Sequence, residues 1–497
     1  MYRLLLCLRY LQTRYLAFIC IVSMMLGVAT LIVVNAVMNG FSTKLKDRLH
    51  GILSDVIIDT TRLDGFIKYD HLGYPLFDTD GRTIPLPPDE IMNLIRSSNA
   101  ASYIEAMTPT IEVFAILRFR FGMEEQTKPV RLIGIDPVGR AAVGGFREYL
   151  VRQKGAEKPS FDLTSEARER HEQLRRQGRL FSMLPPHPRT SGSIQNGEVI
   201  PPPDPQMMTQ GMPQPQLHGL IAGYTLAHFR YRDEQGNVIE EPLLKPGDDV
   251  TVITIGGRDI KPVWGTFVVT DYLKTEMSEY DQTFVFVPLE HLQSIRGMEN
   301  RCTSIQIKLK DYERHKSTVV NELRRIFNHP EVRVATWEEH QGPLLAAIDI
   351  ERGILNLLLF MIIGVAGFSI LSIFTMIVSE KYRDIGILKS LGASHHGVMS
   401  IFLGYGLLLG LVGCILGTIL GLWITENINE IEVFLTKMSG RALFPRDVYY
   451  FKEIPTNVEP MAIMFINLGA MGTAVLFSLL PAWRAARLHP VQALRFE

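Results

Sequence analysis

The sequence predicts a multi-pass α-helical membrane protein with four transmembrane helices and a large α+β domain between helices 1 and 2. The formal net charge is only −1 and the hydrophobic fraction is 46%, so the averages conceal a strong segregation. Between the first two apolar runs lie about 310 residues with many short segments rich in Val, Ile, Thr and Phe. The apolar runs that contain no Asp, Glu, Lys or Arg are Leu16–Met38, Gly353–Ser379, Gly397–Thr425 and Met461–Trp483.

Each apolar run is long enough to cross a bilayer as a helix. A helix rises 1.5 Å per residue, so about 20 residues span a ~30 Å hydrocarbon core. Hydrocarbon offers no hydrogen-bond partners to an open backbone, which favours helix over any extended conformation. The first run is longer than the apolar region of a signal peptide and no small-residue cleavage site follows it, so we expect an uncleaved anchor.

Positive charges near the predicted helix ends indicate the orientation. Arg and Lys residues precede the first helix, lie between the second and third, and follow the fourth. Three basic residues on the other side of the first helix, Lys44, Lys46 and Arg48, argue for the opposite orientation. They carry little weight, because a long domain is translocated largely regardless of its charge. The predicted order is a cytoplasmic N-terminus (1–15), helix 1 (16–40), an external domain (41–352), helix 2 (353–379), a cytoplasmic segment (380–396), helix 3 (397–425), a short external loop (426–460), helix 4 (461–483) and a cytoplasmic C-terminus (484–497).

The external domain is predicted to be a mixed α+β domain. Strand-like runs such as TIEVFAILRF and TFVFVPL are separated by Gly and Pro, and helices are predicted at Pro88–Ser98 and Asp311–Phe327. In TIGGRDIKPVWGTF, Trp264 lies between two predicted strands. Its ring either contacts a partner or packs back onto the domain.

Residues 141–217 are predicted to be an insertion in this domain. Residues 162–179 have the pattern of a polar helix that ends at Gly178 and has almost no apolar face. Residues 185–215 contain nine prolines, which favours an extended or disordered chain. The insertion is either a tolerated surface element or an arm that binds a partner.

No motif for nucleotide hydrolysis or metal catalysis is present in the sequence. It contains neither a Gly-x4-Gly-Lys-Ser/Thr phosphate loop nor a His-Glu-x-x-His pair, and its 4 cysteines have no metal-ligand spacing. We therefore predict no catalytic, cofactor-binding or metal-binding residues in this chain. The net charge argues against nucleic-acid binding. The four apolar runs contain no ionisable relay of the kind that an ion-coupled transporter needs.

The third apolar run contains glycines at helical spacing. Such glycines allow another helix to approach closely, and van der Waals contact then drives association. Packing within the chain's own bundle and packing against a second subunit are equally compatible with the pattern. The glycines are Gly406, Gly410, Gly413, Gly417 and Gly421.

The charged segment SEKYRDIGILKSLGAS, residues 379–394, is predicted to contain a short amphipathic helix. Gly392 suits the position after the helix end, and Ser394 suits the cap of the next helix. The helix either rests on lipid headgroups or fits a groove of a cytoplasmic partner. Its predicted apolar arc contains Ile385, Ile387, Leu388 and Leu391, and the opposite side contains Arg383, Gly386, Lys389 and Ser390.

Several motifs resemble those of FtsX-like permeases. SEKYRDIGILKSLGAS and the terminal LLPAWRAARLHPVQALRFE are similar to the two signatures of that family. Within it, VVNAVMNGFSTKLKDRLHGILSDV at 33–56, VRLIGIDP at 130–137 and DVYYFKEIPTNVEP at 447–460 resemble the LolC/LolE lipoprotein-releasing permeases. The insertion at 141–217 departs from their pattern.

The resemblance implies an ABC transporter permease in the inner membrane of a diderm bacterium, with a periplasmic α+β domain. ATP and Mg²⁺ would be bound by separate cytoplasmic ATPase subunits, and the second permease would be another copy or a paralogue. The substrate would be a lipoprotein, passed from membrane lipid to a periplasmic lipoprotein chaperone. The ATPase-coupling helix implied by matching positions contains Glu380, Lys381, Arg383, Asp384, Ile385, Gly386, Leu388, Lys389, Leu391, Gly392 and Ala393.

A magnitude constrains such a mechanism. Burial of acyl chains in lipid is favourable by about 0.8 kcal/mol per CH₂, so moving three chains of ~14 methylenes into water would cost roughly 30 kcal/mol. This cost exceeds the ~18–21 kcal/mol that noncovalent binding can supply at most. An apolar path is therefore expected, with a cavity lined by Val37, Met38, Phe41 and Ile363. Arg258 and Trp264 are the expected chaperone contact. Two rival functions remain: an FtsX-type signaller that activates a periplasmic enzyme, and an ATP-independent membrane scaffold.

Overall fold

The computed structural model describes residues 15–122, 124–177, 180, 194–195, 198–199, 217–232, 238–258, 260–439 and 453–488. Its helices are α1 (Tyr15–Ile52), α2 (Pro88–Arg96), α3 (Pro137–Val143), α4 (Phe146–Tyr149), α5 (Ser165–Arg176), α6 (Tyr224–Ala227), α7 (Ser278–Thr283), α8 (Leu289–Arg296), α9 (Tyr312–Ile326), α10 (Trp337–His340), α11 (Gly342–Glu380), α12 (Tyr382–Ser390), α13 (His395–Glu426), α14 (Ile428–Ser439) and α15 (Pro460–Arg487), with a 3-10 helix at Asn99–Tyr103.

The strands are β1 (Val56–Thr60), β2 (Ile104–Phe121), β3 (Glu124–Ile135), β4 (Ile194–Gln195), β5 (Glu198–Val199), β6 (Gly219–Gly223), β7 (His228–Arg232), β8 (Val238–Pro242), β9 (Asp249–Ile255), β10 (Pro262–Leu273), β11 (Phe284–Pro288), β12 (Ser304–Leu309) and β13 (Val332–Thr336). The described residues before Arg48 and after Gly342 form a helical unit. Those from Arg48 to Gly342 form an α+β unit.

Within the described residues, four helices are long and apolar enough to cross a membrane: α1, α11, α13 and α15. Helices α1 and α11 have 38 and 39 residues, more than the predicted crossing segments 16–40 and 353–379. The apolar run marks only the part that suits hydrocarbon, whereas helical hydrogen bonding continues into the polar flanks. All four helices contribute to one apolar core, formed by Cys20, Met24, Val28, Ile32, Ile370, Phe374, Ile377, Tyr405, Leu409, Cys414, Ala470 and Ala474.

The α+β unit is built on a nine-stranded sheet that partly closes on itself. The strand order is β13-β1-β12-β2-β3-β11-β6-β10-β9, and β9 also pairs with β2. This pairing closes β2, β3, β11, β6, β10 and β9 into a barrel, while β1, β12 and β13 continue the sheet beyond it. The 18-residue strand β2 belongs to both parts, because Ile104–Thr110 pairs with β12 and Thr110–Phe121 with β3.

The predicted fold class is confirmed, since four long apolar helices flank an α+β unit. The two helices predicted there also form, as α2 and as α9, in which Asp311 caps the amide of Arg314. Inward-facing apolar side chains fill the barrel, among them Leu117, Leu132 and Phe267.

The start of the predicted insertion is packed on the α+β unit. The polar helix expected at 162–179 is α5, whose buried Ala167 packs with Leu163 and with Val268 of β10. Within the helix, Ala167 is the one buried apolar residue, which agrees with the expectation of almost no apolar face, and this small contact suffices to dock the helix. Of the proline-rich part at 185–215, only β4 and β5 fall within the described residues.

A buried arginine holds the C-terminal end of α1 in the α+β unit. Arg140 of α3 donates hydrogen bonds to the carbonyl oxygen of Ile52 at 2.9 Å and to Oε1 of Gln306 at 3.0 Å. The amide of Gly145 donates to the carbonyl oxygen of Gly51 at 2.7 Å. Burial lowers the pKa of Arg140 to about 10, so the guanidinium stays charged at neutral pH. A cation at the carbonyl end of a helix is favourably placed relative to the helix dipole.

Replacing Arg140 by Met should destabilise the α+β unit. The change removes the side-chain donor to the carbonyl oxygen of Ile52 and one of the two donors to Oε1 of Gln306, which keeps the bond from Ser54. We therefore expect the free energy of unfolding to fall by about 2–4 kcal/mol. Urea unfolding of the full chain in detergent measures it. The exposed Arg314→Met is the control and should cost less than about 0.5 kcal/mol. Equal losses of unfolding free energy in the two variants would show that Arg140 does not hold the end of α1.

Candidate functional site

The charged segment between α11 and α13 forms a short helix that is nearly continuous with α11. Only Lys381 separates α11 from α12, and its amide still donates to the carbonyl oxygen of Ile377 at 2.9 Å. The ammonium of Lys381 pairs with Asp384 at 2.6 Å. Because Lys381 is bonded both to Ile377 of α11 and to Asp384 of α12, α12 is tied closely to the preceding span.

The end of α12 is set by local sequence, as the residue pattern predicts. The amide of Gly392 donates to the carbonyl oxygen of Lys389 at 3.1 Å, and the amide of Ala393 donates to that of Leu388 at 3.0 Å. Gly392 has a φ of 95°, where a side chain would be strained. Oγ of Ser394 then accepts from the amide of Gly397 at the start of α13. The predicted helix end and cap are both confirmed.

One side of α12 is bound to the helical unit. Ile385 is buried against Val378, Val398 and Ala485, and Gly386 is buried beside it. The ammonium of Lys389, one turn after Ile385, donates to the carbonyl oxygens of Ala486 at 2.7 Å and Leu488 at 2.6 Å. These carbonyls end α15, where a cation is also favoured by the helix dipole. Lys389 therefore ties α12 to the end of the fourth span.

The predicted apolar arc of α12 is divided between burial in the chain, at Ile385, and exposure. Ile387 and Leu391 of the predicted apolar arc are 46% and 80% exposed, whereas Gly386 and Lys389 of the opposite side face the chain. The end of α15 supplies the carbonyl acceptors for Lys389, and the periodicity of α12 alone contains no information about them.

The other side of α12 carries an exposed stripe. It consists of Arg383, Ile387, Ser390 and Leu391, all exposed, at spacings of four, three and one residues. Residues at such spacings share one side of a helix. The stripe combines two apolar side chains with a cation and a hydroxyl, and no described residue of the chain covers it.

All five glycines of α13 lie against this chain's own helices. A Cβ at Gly406 or Gly410 would come within 2.6 Å of Ser478 or 2.9 Å of Ala474 on α15. The remaining three face α1 in the same way: Gly413 at Met24, Gly417 at Val28 and Gly421 at Ile32. Of the two interpretations left open by the spacing, packing within the bundle is the one that this arrangement favours.

The residues expected to line a cavity are not alike in their surroundings. Ile363 is buried with Leu31 and Leu359 in a small cluster between α11 and α1, so its side chain takes part in helix packing. Val37, Met38 and Phe41 are only partly buried along α1.

Trp264 does not pack back onto the domain, because 71% of its surface is exposed. It stands opposite Ile253, which is paired in turn with Ile116 of β2. Arg258 is also exposed, in the turn before β10. The neighbours of Trp264 on the outer barrel wall were not predicted, although both the inward-facing and the outward-facing positions of TIEVFAILRF include apolar residues. The exposed apolar side chains there, called the barrel patch, are Phe114, Ile116, Ile255 and Trp264.

No group of three or more His, Cys, Asp or Glu residues that could hold a metal ion occurs in the described parts of the chain. The buried Cys302 has its pKa raised by desolvation, which makes its thiol unreactive. The recognisable features are thus surfaces for contact: the exposed stripe of α12 and the barrel patch.

Comparison with known proteins bears on the helical unit most directly. Residues 356–490 match the family described as FtsX-like permease C-terminal. This part of the chain, called the permease domain, is similar to the C-terminal domain of FtsX-like permeases. The domain contains α12, α13 and α15, so the exposed stripe and the Lys389 contacts are features of the permease domain.

The similarity to LolC and LolE proteins, which the motifs also predicted, is confirmed. The chain is 33% identical to the lipoprotein-releasing system transmembrane protein LolC of Xylella fastidiosa over 231 residues, 46% of this chain and 55% of the relative. It is 28% identical to LolC of Neisseria meningitidis over 258 residues, 50% and 61% of the two chains. It is also 28% identical to LolE of Haemophilus influenzae over 228 residues, 46% and 54%.

The chain thus spans about half the length of the curated relatives it matches. Among solved structures, it is similar to the periplasmic region of MacB from Actinobacillus actinomycetemcomitans, with 15% identity and a TM-score of 0.27 over 61% of this chain and 97% of that one. The described chain has the organisation of a multi-pass membrane protein with four helical spans.

In the permease domain, Lys389→Met should loosen α12. The carbonyl oxygens of Ala486 and Leu488 lose their shared donor, at a cost of about 1–2 kcal/mol. Amide hydrogen exchange across 382–390 in the purified chain should therefore become roughly tenfold faster. Lys389→Arg should restore most of the protection, and Arg383→Met on the exposed side should leave it unchanged. Unchanged exchange in Lys389→Met would show that the lysine does not hold the helix.

Proposed function

We propose that this chain is the permease subunit of an ABC transporter. It would couple ATP hydrolysis by a separate cytoplasmic ATPase subunit to the extraction of lipoproteins from the inner membrane toward a periplasmic chaperone. The observation that carries the proposal is the exposed stripe on a helix that is joined to three of the four spans. The similarity of the LolC and LolE relatives, which are lipoprotein-releasing system proteins by name, supports the choice of substrate.

The stripe suits a protein groove better than a lipid surface. A helix on lipid headgroups places apolar residues toward the acyl chains and basic residues around them. In α12, Ile385 and Lys389 are already engaged with the chain itself. The exposed stripe that remains is narrow. Ile387 and Leu391 are one turn apart, and Arg383 lies one turn before Ile387. This stripe would dock into a groove on the surface of the ATPase subunit that binds ATP and Mg²⁺.

Attachment to the spans makes α12 able to pass a displacement on. The helix is continuous with α11 but for Lys381, is joined by the turn at Gly392 to α13, and is bonded through Lys389 to the end of α15. Closure of an ATPase dimer on the stripe would therefore move three spans together. Helix α1 continues into the α+β unit as far as Ile52, and α11 begins at Gly342, where that unit ends, so such movement would reach the lipoprotein-handling side.

Leu391→Asp should weaken binding of the ATPase subunit at least tenfold. Burial of a leucine stabilises an interface by about 1.5–3 kcal/mol, and a buried carboxylate would add a further penalty. Affinity between the purified subunits in detergent measures the effect. Leu72→Asp, which changes an exposed leucine of the α+β unit, is the matched control. If Leu391→Asp binds the ATPase subunit with wild-type affinity, the stripe does not contact that subunit, and α12 would instead rest on the lipid surface.

The acyl chains need an apolar path, for the energetic reason given above. We place its entrance along α1 at Val37, Met38 and Phe41, which are partly exposed, and across from Ile363 on α11. On the α+β unit, the barrel patch with Trp264 and the neighbouring Arg258 would be the contact for the chaperone. An aromatic anchor beside a cation is typical of protein-binding hot spots.

Val37→Asp should abolish lipoprotein release while leaving ATPase binding intact, because a carboxylate at the path entrance opposes the passage of acyl chains. Release from reconstituted vesicles to a soluble chaperone measures it, and Val37→Ala should release normally. Ile363→Asp is a poor test because that side chain is buried in helix packing. Normal lipoprotein release by Val37→Asp would show that α1 does not line the path of the acyl chains.

The decisive test of the function as a whole is purification of the chain from its native membrane. An ATPase and acylated lipoproteins should copurify with it. An ATPase without lipoproteins would instead favour the FtsX-type signaller, whose periplasmic target is an enzyme. If no ATPase is recovered under conditions that preserve the complex, the chain acts as a scaffold.

A further inference from the structure

Helix α14 directs its polar side toward the protein. Glu432 is 9% exposed, and its Oε1 accepts a hydrogen bond from Oγ1 of Thr436 at 3.1 Å. One turn before Glu432, Oδ1 of Asn429 accepts from the amide of Ile454 at 2.8 Å. Asn429, Glu432 and Thr436 occupy one side of the helix at spacings of three and four. The bond between Asn429 and Ile454 and the burial of Glu432 therefore show that this side faces the protein.

The opposite side of α14 is apolar and exposed. Phe434 and Met438 are 62% and 73% exposed, and Leu435 is exposed between them. With the half-buried Ile431, they recur at spacings of three, one and three residues, which makes a continuous apolar stripe. A helix surrounded by water packs its apolar side on the protein and turns its polar side out. The inverted arrangement of α14 indicates apolar surroundings.

The position of α14 in the chain specifies those surroundings. Trp423, which is exposed near the end of α13, is of the residue type that concentrates at the boundary between headgroups and acyl chains. Asn427 alone separates α13 from α14. Five residues of helix cover about 7.5 Å, so α14 begins within that distance of the level of Trp423. Its apolar stripe thus begins close to the membrane level that Trp423 marks.

We propose that α14 is an interfacial helix that lies in the surface of the lipid bilayer. Phe434, Leu435 and Met438 enter the boundary between headgroups and acyl chains, and the exposed Lys437 lies beside them, where it can reach lipid phosphate groups. The helix anchors the chain that leaves α13 and, through Asn429, the chain that leads to α15. This proposal requires four spans but does not depend on ATPase coupling or on lipoprotein release.

Tryptophan fluorescence with brominated lipid tests the proposal. The full chain carrying Phe434→Trp is reconstituted in bilayers of phosphatidylcholine and phosphatidylglycerol, with and without bromine near the glycerol end of the acyl chains. The emission added by the new tryptophan should fall by about half in brominated lipid, because an interfacial helix lies ~5–10 Å into the boundary. Met438→Trp repeats the measurement at a second position in case the first variant does not fold.

Two controls bracket the result. Phe465→Trp, on the exposed side of the predicted span α15, should be quenched as well, whereas Phe229→Trp, exposed on the α+β unit, should not. Quenching at 434 or 438 comparable to that at 465 supports the interfacial helix. Emission at both positions that is as insensitive to bromine as that at 229 would overturn it. A disulfide between copies of Met438→Cys in place of quenching would assign the stripe to a second chain instead.

Discussion

Both chain connections of the α+β unit are bonded to one buried residue, Asp55. Its carboxylate contacts Nε2 of His50, at the end of α1, at 2.5 Å. Its backbone carbonyl accepts from the amide of Trp337 at 3.1 Å, where the chain turns toward α11. The ring of His50 also stacks on that of Trp337 with centroids 5.2 Å apart. Because the end of α1 and the approach to α11 share these bonds, neither can shift alone in the α+β unit.

The hydrogen bonds of the Asp55 carboxylate depend on its negative charge. Burial raises the pKa of Asp55, but hydrogen bonds from His50 and Leu309 and the nearby Lys308 outweigh burial and hold the pKa below its usual value. A lowered pKa means that the folded state prefers the carboxylate. This contribution to stability is therefore complete above the usual aspartate range and is lost as the pH falls through the lowered pKa. With the Arg140 contact to Ile52, these bonds hold the end of α1 in the α+β unit at neutral pH, as force transmission under the proposed function requires.

Much of the fold follows from local sequence, and the exceptions have a common cause. The apolar runs predict the four long helices, because lipid-spanning segments leave a signal in composition alone. Gly392 and Ser394 predict the helix end and cap correctly, because both act within five residues of their position. Closure of the barrel by β2 and β9 could not be predicted, since that pairing joins residues more than 100 positions apart.

The candidate site shows the same limit. The periodicity of α12 predicts a helix but not which side is buried, because that depends on the carbonyls at the end of α15 that receive Lys389. The exposure of Trp264 was equally open, since a tryptophan near a hairpin turn packs inward or stays outside according to the barrel wall beneath it. For α14 the polar side faces the protein, a reversal that becomes visible only when Asn429 is seen bonded to Ile454.

The central claim is that the exposed stripe of α12 is covered by a separate ATPase subunit. Site-specific photo-crosslinking in the native membrane tests it most directly, with a benzophenone amino acid at Leu391 and, for comparison, at the exposed Ile350 of α11. The account predicts a protein adduct at Leu391 that contains an ATP-hydrolysing subunit, and no such adduct at Ile350. Lipid adducts alone at Leu391 would contradict it.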